Sequence, residues 1–561
     1  MDFDRVLDEI GEFGKFQLTN YLLICLPVFF GAANSLSYVF TAGVPNYRCF
    51  VPNCDDPHQP NYDESWMHYA VPGKTDSNGI FTPEQCKIFI QNNMTMSRGY
   101  SVPTFEECSP EMFTSKEDEC SRWVFDKSEK TIVEEWSITC MSNHWKLSLV
   151  GTMHFLGIVS GSFIFGVLAD RYGRKIVLIL SILFMSITGI GQALSGDYIT
   201  FIVFAYLNAV GTSGVYPLAF ILGVEMVGRS KREMSGNVLN YFYALGEAAV
   251  GLVAWLSGNW VTVQLAVSAP PLLFALYYWI VPESVRWLLA KKHTHKAGRI
   301  IKRAAKVNGV VLSDSILATF VDNEDGMSDS KEGMVGQSEK PPSQIAVMKE
   351  ALKSKTLMIR FVILIYNWIT NAFVYYGLSL NSTSLSGNKY LNYALVCLIE
   401  IPGYTLAWIA MNKIGRRWSL GLSLLLCAVT CCTGAFIDAD LIWAVVSLFL
   451  VGKLGITISF SVLYTYSAEM IPTVIRSAGV GALSTMARFG AMMAPFVPLL
   501  GLYVKPLPLI LFGILSLFGG ITAFLFPETL KKKLPDTVEE AENLGKTDND
   551  IELQSSSFKE S

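Results

Sequence analysis

The stretch Gly166 to Lys175, GVLADRYGRK, joins the end of one long apolar segment to the start of the next and sets Asp170, Arg171, Arg174 and Lys175 around two glycines. Hydrocarbon cannot solvate a turn that charged, so it must lie in water between two membrane helices. A degraded copy, MNKIGRR, fills Met411 to Arg417 between another apolar pair, with Gly173 and Gly415 242 positions apart. Two further landmarks keep nearly that spacing. Glu225-Met226 with Arg232 returns 244 positions later as Glu469-Met470 with Arg476, and Pro282-Glu283-Ser284 returns 245 later as Pro527-Glu528-Thr529. Three landmarks in one order at a nearly constant offset predict a duplicated unit of six apolar segments, hence an all-α membrane protein of twelve transmembrane helices in two six-helix halves.

Bulk properties agree. A chain of 561 residues that is 51% hydrophobic and 16% charged, with mean hydropathy +0.36, is too apolar for an ordinary soluble protein and fits a polytopic membrane protein. A net charge of -4 favours no nucleic-acid partner. The start, MDFDRVLDEIGEFGKFQ, is acidic and has no basic region before its apolar stretch, so no cleaved signal peptide is expected and the first helix stays as an anchor. Phe3, Val6, Leu7, Ile10, Phe13 and Phe16 fall at helical spacing, which predicts an amphipathic segment over 1–19 lying on the inner membrane face.

The first span is expected over 20–42, an extracellular domain over 43–147, spans two to six within 148–281, a cytoplasmic loop over 282–356, spans seven to twelve within 357–526, and a cytoplasmic tail over 527–561. Loops rich in Lys and Arg (DRYGRK, GRSKRE, NKIGRR, the segment after Arg286, the Arg476 turn and 531–533) all fall on one side, and the opposite turns carry almost none. The basic side is cytoplasmic by the positive-inside rule, which puts both termini inside. Cys49, Cys54, Cys86, Cys108, Cys120 and Cys140 all lie in the insert between the first two spans, an even set that predicts three disulfides of open connectivity in an oxidising compartment. Asn93 heads a glycosylation sequon in the same insert, whereas the sequon at Asn381 sits close to a helix end. The loop near 322–343 reads as a flexible tether and the tail after Leu534 as disordered.

GVLADRYGRK and its echo within twelve spans resemble the major facilitator superfamily along the whole chain. PESVRWLL after span six, the cysteine insert, WITNAFVYYGLSLN in span seven, YSAEMIPTVIRSAGVG after span ten and PETLKKKLPDTVEEAE at the end resemble the organic cation, carnitine and organic anion transporter family. The resemblance implies alternating access around a cavity near the bilayer midplane. Asp170, Arg171, Arg174, Glu225, Arg232, Arg416, Glu469 and Arg476 then read as parts of an inner gate.

An ionisable side chain within hydrocarbon costs about 2.5–3.5 kcal/mol on insertion scales, so each needs a partner or a task. Four stand out: Glu247 in span five, Glu400 in span eight, Lys453 in span ten and Arg488 in span eleven. The family resemblance gives an acid at the Glu400 position and a base at the Lys453 position. It implies a basic residue at the Arg488 position in the carnitine and anion branches, which suits a carboxylate anchor; pairing with a buried acid is the structural alternative. Glu247 follows Tyr243 by one turn and could face a cation or pair with Lys453 or Arg488. Ring faces attract ammonium groups. Trp368 and Tyr375, on one face of span seven, match cavity-lining positions of the family; Tyr376, Phe460, Tyr464 and Tyr216 are further candidates.

The expected function is a plasma-membrane secondary or facilitative carrier for small organic cations or zwitterions such as carnitine, betaine-like compounds or amino-acid-derived amines. The alternatives are an organic anion exchanger of the same fold and a transport-inactive sensor or scaffold. No phosphate loop, dinucleotide fingerprint or HExxH motif occurs and the six histidines are scattered, so neither an enzyme nor a metal or cofactor site is expected. Sodium, a proton or membrane potential remain open as the driving force, with Asn34 and Ser35 able to line an ion site or to bond between helices. The other partners expected are the bilayer and, at most, weak oligomers through the extracellular domain.

Overall fold

The computed structural model describes residues 3–75, 79, 81–91, 108–313, 344–438 and 441–545. Asn93, the 322–343 tether and the end of the tail lie outside these residues. Among the described residues, eleven helices are long and apolar enough to cross a membrane: Lys15–Thr41, Cys140–Tyr172, Arg174–Ala193, Tyr198–Met226, Arg232–Ser257, Trp260–Ile280, Lys355–Ser384, Lys389–Lys413, Arg416–Gly434, Ile442–Met470 and Thr473–Tyr503. A shorter apolar helix, Leu507–Ala523, follows. They are spans 1 to 12 in chain order. Several run past the apolar stretch that marks them: span 2 begins at Cys140, a full eight residues before the predicted edge, because a helix keeps its backbone bonds satisfied in water as well as in hydrocarbon.

Prolines set the breaks. Pro270 and Pro271 turn the middle of span 6 into a tighter 3-10 segment, Pro270–Leu276, and Pro495 does the same to span 11 over Ala494–Phe496. Span 8 divides at Ile399 into Lys389–Leu398 and Glu400–Lys413. Pro402 has no N–H to return to the carbonyl of Leu398, so the helix restarts at Glu400 in the middle of the span.

The duplication is visible in atomic detail. Gly173 (φ +106°) and Gly415 (φ +98°) both occupy the left-handed region, which a side chain disfavours, and each reverses the chain into the next span. The new helix is capped by a carboxylate from far away in sequence. Glu283 accepts the N–H of Lys175 at 3.0 Å, and Glu528 accepts those of Arg416 and Arg417 at 2.9 and 3.1 Å. An anion at a helix start satisfies orphan N–H groups and meets the positive end of the dipole. Ser284 donates to Glu225 just as Thr529 donates to Glu469. Close helix contacts repeat too. A Cβ on Gly246 of span 5 would overlap the Phe29 carbonyl of span 1, and one on Gly490 of span 11 would overlap the Ile369 carbonyl of span 7. Small residues at these crossings let backbones touch.

Among its described residues the insert has three short antiparallel strand pairs, Tyr47–Cys49 with Trp123–Phe125, Gly73–Thr75 with Phe81–Pro83, and Lys87–Gln91 with Phe113–Glu119. Strands this few and short hold little core, and disulfides Cys49–Cys120, Cys54–Cys108 and Cys86–Cys140 staple them, the last tying the insert to the start of span 2. A fully buried ion pair, Arg48 to Asp55 at 2.7 Å, closes its centre, with Arg48 also donating to the carbonyls of Tyr62 and Cys49.

Two sequence expectations need correction. The N-terminal helix, Phe3–Ile10, does not lay its apolar face on a membrane: Val6, Leu7 and Ile10 are buried against Ala297, Ile301 and Ala304 of the loop helix Thr294–Asn308. Asn308 pins this arrangement by donating to the carbonyl of Ile10 and accepting from the N–H of Phe16. The tail after Leu534 is ordered in its described part. The helix Val538–Asn543 is held by Arg360, which donates to the carbonyls of Ala541 and Leu544 at 2.7 and 3.1 Å.

Candidate substrate site

Span 8 restarts at Glu400, whose carboxylate therefore sits at the N-terminus of a half-helix deep inside the protein. Lys453 lies 2.8 Å from its Oε1, and both side chains are fully buried. Tyr375 donates to Oε2 at 2.7 Å and Tyr404 at 3.4 Å. Lys453 directs hydrogens to Ser379 Oγ (2.8 Å) and to the Tyr375 carbonyl (3.3 Å), and its ammonium rests 3.4 Å from the centre of the Tyr375 ring. Oε1 of Glu400 accepts no hydrogen bond, so its contact with Lys453 is an ion pair without an aligned hydrogen. Both charges are thus matched inside the second half.

The other two charges are not. Glu247 is fully buried and neither carboxylate oxygen has a hydrogen-bond partner among the described residues. Arg488 forms no ion pair with a described carboxylate; its neighbours are Tyr243, Tyr376 and Tyr464, and its side chain is half-buried. Tyr243 and Tyr376 stand within electrostatic reach of both Glu247 and Arg488. An unmatched acid and an unmatched base, carried by the equivalent spans 5 and 11, therefore share two phenols.

Aromatic rings stack around these charges in both halves. In the second half Trp368 packs on Tyr464 (centroids 4.4 Å apart), Tyr464 on Phe460 (5.5 Å) and Phe460 on Tyr375 (5.6 Å). Trp368 is itself fully buried and donates to Ser467 at 2.9 Å, so it supports Tyr464 from behind. In the first half Tyr216 meets Tyr243 at 5.6 Å and donates to Asn240. Phe155 of span 2 touches Tyr376 of span 7 at 4.7 Å, across the two halves. Tyr464 keeps 39% of its surface exposed although it packs on Trp368 and Phe460.

Every substrate-site residue named from the sequence falls in this region. Four further groups reach it that sequence reasoning did not assign. His154 lies beside Tyr38, ring centroids 5.9 Å apart, and Tyr393 and Tyr404 stand in electrostatic reach of Glu247. The Tyr38 and Tyr393 hydroxyls and His154 Nε2 are buried without a hydrogen-bond partner among the described residues. An aromatic residue in an apolar run carries no mark of whether it faces lipid or cavity.

Asn34 takes the interhelical option. It donates to the Val267 carbonyl at 3.0 Å, and its own oxygen accepts from Asn208 and Ser268, while Ser35 bonds back to Gly31. Among the described residues no cluster of His, Cys, Asp or Glu is arranged to hold a metal ion.

The residues expected from the sequence to form an inner gate lie at the end of the bundle opposite the insert. In the first half Arg174 pairs with Asp170 at 3.2 Å and reaches the Ala169 carbonyl. In the second, Arg416 pairs with Glu469 at 2.9 Å and reaches the equivalent Met411 carbonyl. Arg171 rests over the Tyr172 ring and Arg476 donates to Thr473. Arg232 starts span 5. Burial raises the Glu283 carboxyl above its ordinary range, and the N–H groups it caps hold it down in part. Asp170 is 80% exposed. By contrast, at the insert end Ser148 and Thr152 of span 2 donate to the carbonyls of Pro495 and Met492 in span 11, at 2.7 and 3.1 Å.

A family model described as sugar (and other) transporter matches residues 112–540. The organic cation transporter protein of Drosophila melanogaster is 34% identical over 549 residues, covering 97% of this chain and 95% of that one. The organic cation/carnitine transporter 2 of Mus musculus is 32% identical, over 96% and 94%, and solute carrier family 22 member 3 of Mus musculus is 31% identical, over 97% and 96%. The chain belongs to the organic cation and carnitine transporter family of the major facilitator superfamily. It is a multi-pass membrane transporter and not an enzyme. The inward open conformation of the xylose transporter XylE from E. coli shares its fold, with a TM-score of 0.54 at 16% identity over 73% of this chain and 92% of that one.

Proposed function

We propose that this transporter carries small organic cations or zwitterions of the carnitine and betaine type across the plasma membrane by alternating access. Both termini would be cytoplasmic and the insert extracellular. The observation that carries the reading is the unmatched pair, Glu247 and Arg488, sharing Tyr243 and Tyr376. A quaternary or protonated amine takes Glu247 as counter-ion and ring faces as its wall; a carboxylate on the same molecule takes Arg488. Glu400 and Lys453 hold spans 7, 8 and 10 together and shape the wall through Tyr375. The relatives named for organic cations and carnitine support this substrate class.

Two features favour a space reached from the gate side. The halves meet through spans 2 and 11 near the insert, whereas among the described residues the exposed Asp170 makes no bond to the second half, pairing with Arg174 and accepting the Trp287 indole N–H on its carbonyl. The anion-exchange alternative loses weight because Lys453 is already neutralised by Glu400.

The test is uptake of radiolabelled carnitine, tetraethylammonium and a dicarboxylate into proteoliposomes, with and without sodium. Removing the arginine of a buried charge pair typically costs about 2–5 kcal/mol, well over tenfold. Arg488→Ala should therefore cut carnitine uptake by more than about tenfold and spare tetraethylammonium. Equal loss of both removes the anchor role, preference for the dicarboxylate favours the exchanger, and no saturable flux leaves the scaffold.

A further inference from the structure

The charges around Glu247 do not sum to zero. The charged groups facing it from other helices are Glu400 of span 8 and Lys453 of span 10. The single ammonium is committed to Glu400, Ser379 and the Tyr375 carbonyl. The remaining titratable neighbours are Tyr243 on its own span, Tyr38 of span 1, Tyr375 and Tyr376 of span 7, and Tyr393, Cys397 and Tyr404 of span 8, all neutral at physiological pH. Arg488 reaches it only through the shared phenols. His154 stands one ring further out, behind Tyr38. Glu247 itself is fully buried with both oxygens bare. A carboxylate anion in that position carries an uncompensated desolvation cost of several kcal/mol, which a single bound positive species removes.

We propose that Glu247 is the coupling site of the carrier: it holds a proton whenever no cationic head group is bound, so that proton and organic cation exchange one for one. The inference rests on the cation-carrier reading and adds its driving force. The step balances simply. The cation approaches, the O–H bond of the Glu247 carboxyl breaks, its electron pair stays on the carboxylate as counter-ion to the ligand, and the proton leaves to bulk water on the side from which the cation came. After release on the other side a proton is taken up again. Neither oxidant nor co-reactant is needed, and for a monovalent cation the cycle moves no net charge.

The experiment uses the purified full-length protein and tetraethylammonium. In weakly buffered detergent solution, binding should release about one proton per bound cation in the wild type and none in Glu247→Gln, a substitution that keeps the shape of the neutral acid. In proteoliposomes an acidic lumen should drive uphill tetraethylammonium uptake in the wild type, and Glu247→Gln should lose that accumulation. A second readout needs no variant: infrared difference spectra of the wild type should show a protonated carboxyl band that disappears when tetraethylammonium is added. Binding without proton release, release that persists in Glu247→Gln, or no ligand-sensitive carboxyl band overturns the proposal while leaving cation transport intact. Failure of tetraethylammonium to bind at all removes both this coupling and the cation-carrier reading.

Discussion

At the scale of single residues, what separates the four charges within the spans is whether an oppositely charged partner is already present. Lys453 and Glu400 neutralise each other, so removing one leaves the other naked in the protein interior. Lys453→Met should lower stability by about 3–5 kcal/mol, the usual result of breaking a buried pair, whereas Lys453→Met with Glu400→Gln should recover most of that loss. Thermal melting of the purified variants measures it; a double variant as unstable as the single one would mean that the two residues are not coupled. The sequence showed all four charges and their spans, because a Glu or Lys in an apolar run is conspicuous. It could not show which of them meet. That depends on how spans 5, 8, 10 and 11 are rotated about their axes, and the break before Pro402 reorients Glu400 in a way no periodicity reports. His154 and Tyr393 were invisible for a related reason: their unsatisfied polar atoms become a signal only once their surroundings are known.

At the scale of elements, the turn and its distant carboxylate cap form one device used twice. Its pieces were legible as spaced motifs, since repeated Gly and Pro-Glu landmarks survive duplication, but the sequence does not say that Glu283 and Glu528 fold back onto Gly173 and Gly415. The device distinguishes two glycines in one motif. Gly173 needs φ +106°, and a Cβ there would meet Glu283 Oε2 at 2.5 Å, whereas Gly166 is helical and a Cβ there meets nothing within 4 Å. Gly173→Ala should therefore destabilise by about 1–2 kcal/mol or more from backbone strain alone, and Gly166→Ala should stabilise by about 0.5–1 kcal/mol through reduced freedom of the unfolded chain. Melting temperatures of the two variants should move in opposite directions; a shift of the same sign in both would refute the capped-turn account. Removing the cap itself, by Glu283→Ala, should cost about 0.5–2 kcal/mol and weaken the start of span 3.

At the scale of the whole molecule, the six-plus-six plan places the functional asymmetry at the interface between halves that are built alike. The repeat brings spans 5 and 11 to equivalent places, where one contributes the acid and the other the base. On the proposed reading, a duplicated scaffold thus yields a two-ended site without new backbone. The same plan lets one contact report on the motion of the halves. Gly151 of span 2 faces Pro495 of span 11 and Tyr38 of span 1, and a Cβ would come within 2.6 Å of the proline ring. Span 2 therefore approaches span 11 at this point only because the residue has no side chain. Gly151→Leu overpacks that contact by about 1–3 kcal/mol, which biases the balance between the two end states by roughly 5- to 150-fold. The wedge stands in the insert-side seam and adds no charge beside Glu247 or Arg488, although it presses on Tyr38, a neighbour of Glu247, so turnover should fall more than ligand binding. Equilibrium binding of tetraethylammonium compared with its flux in vesicles separates the two. Flux that stays at the wild-type rate, with the protein correctly folded, would mean that closure at the insert end is not part of the transport cycle.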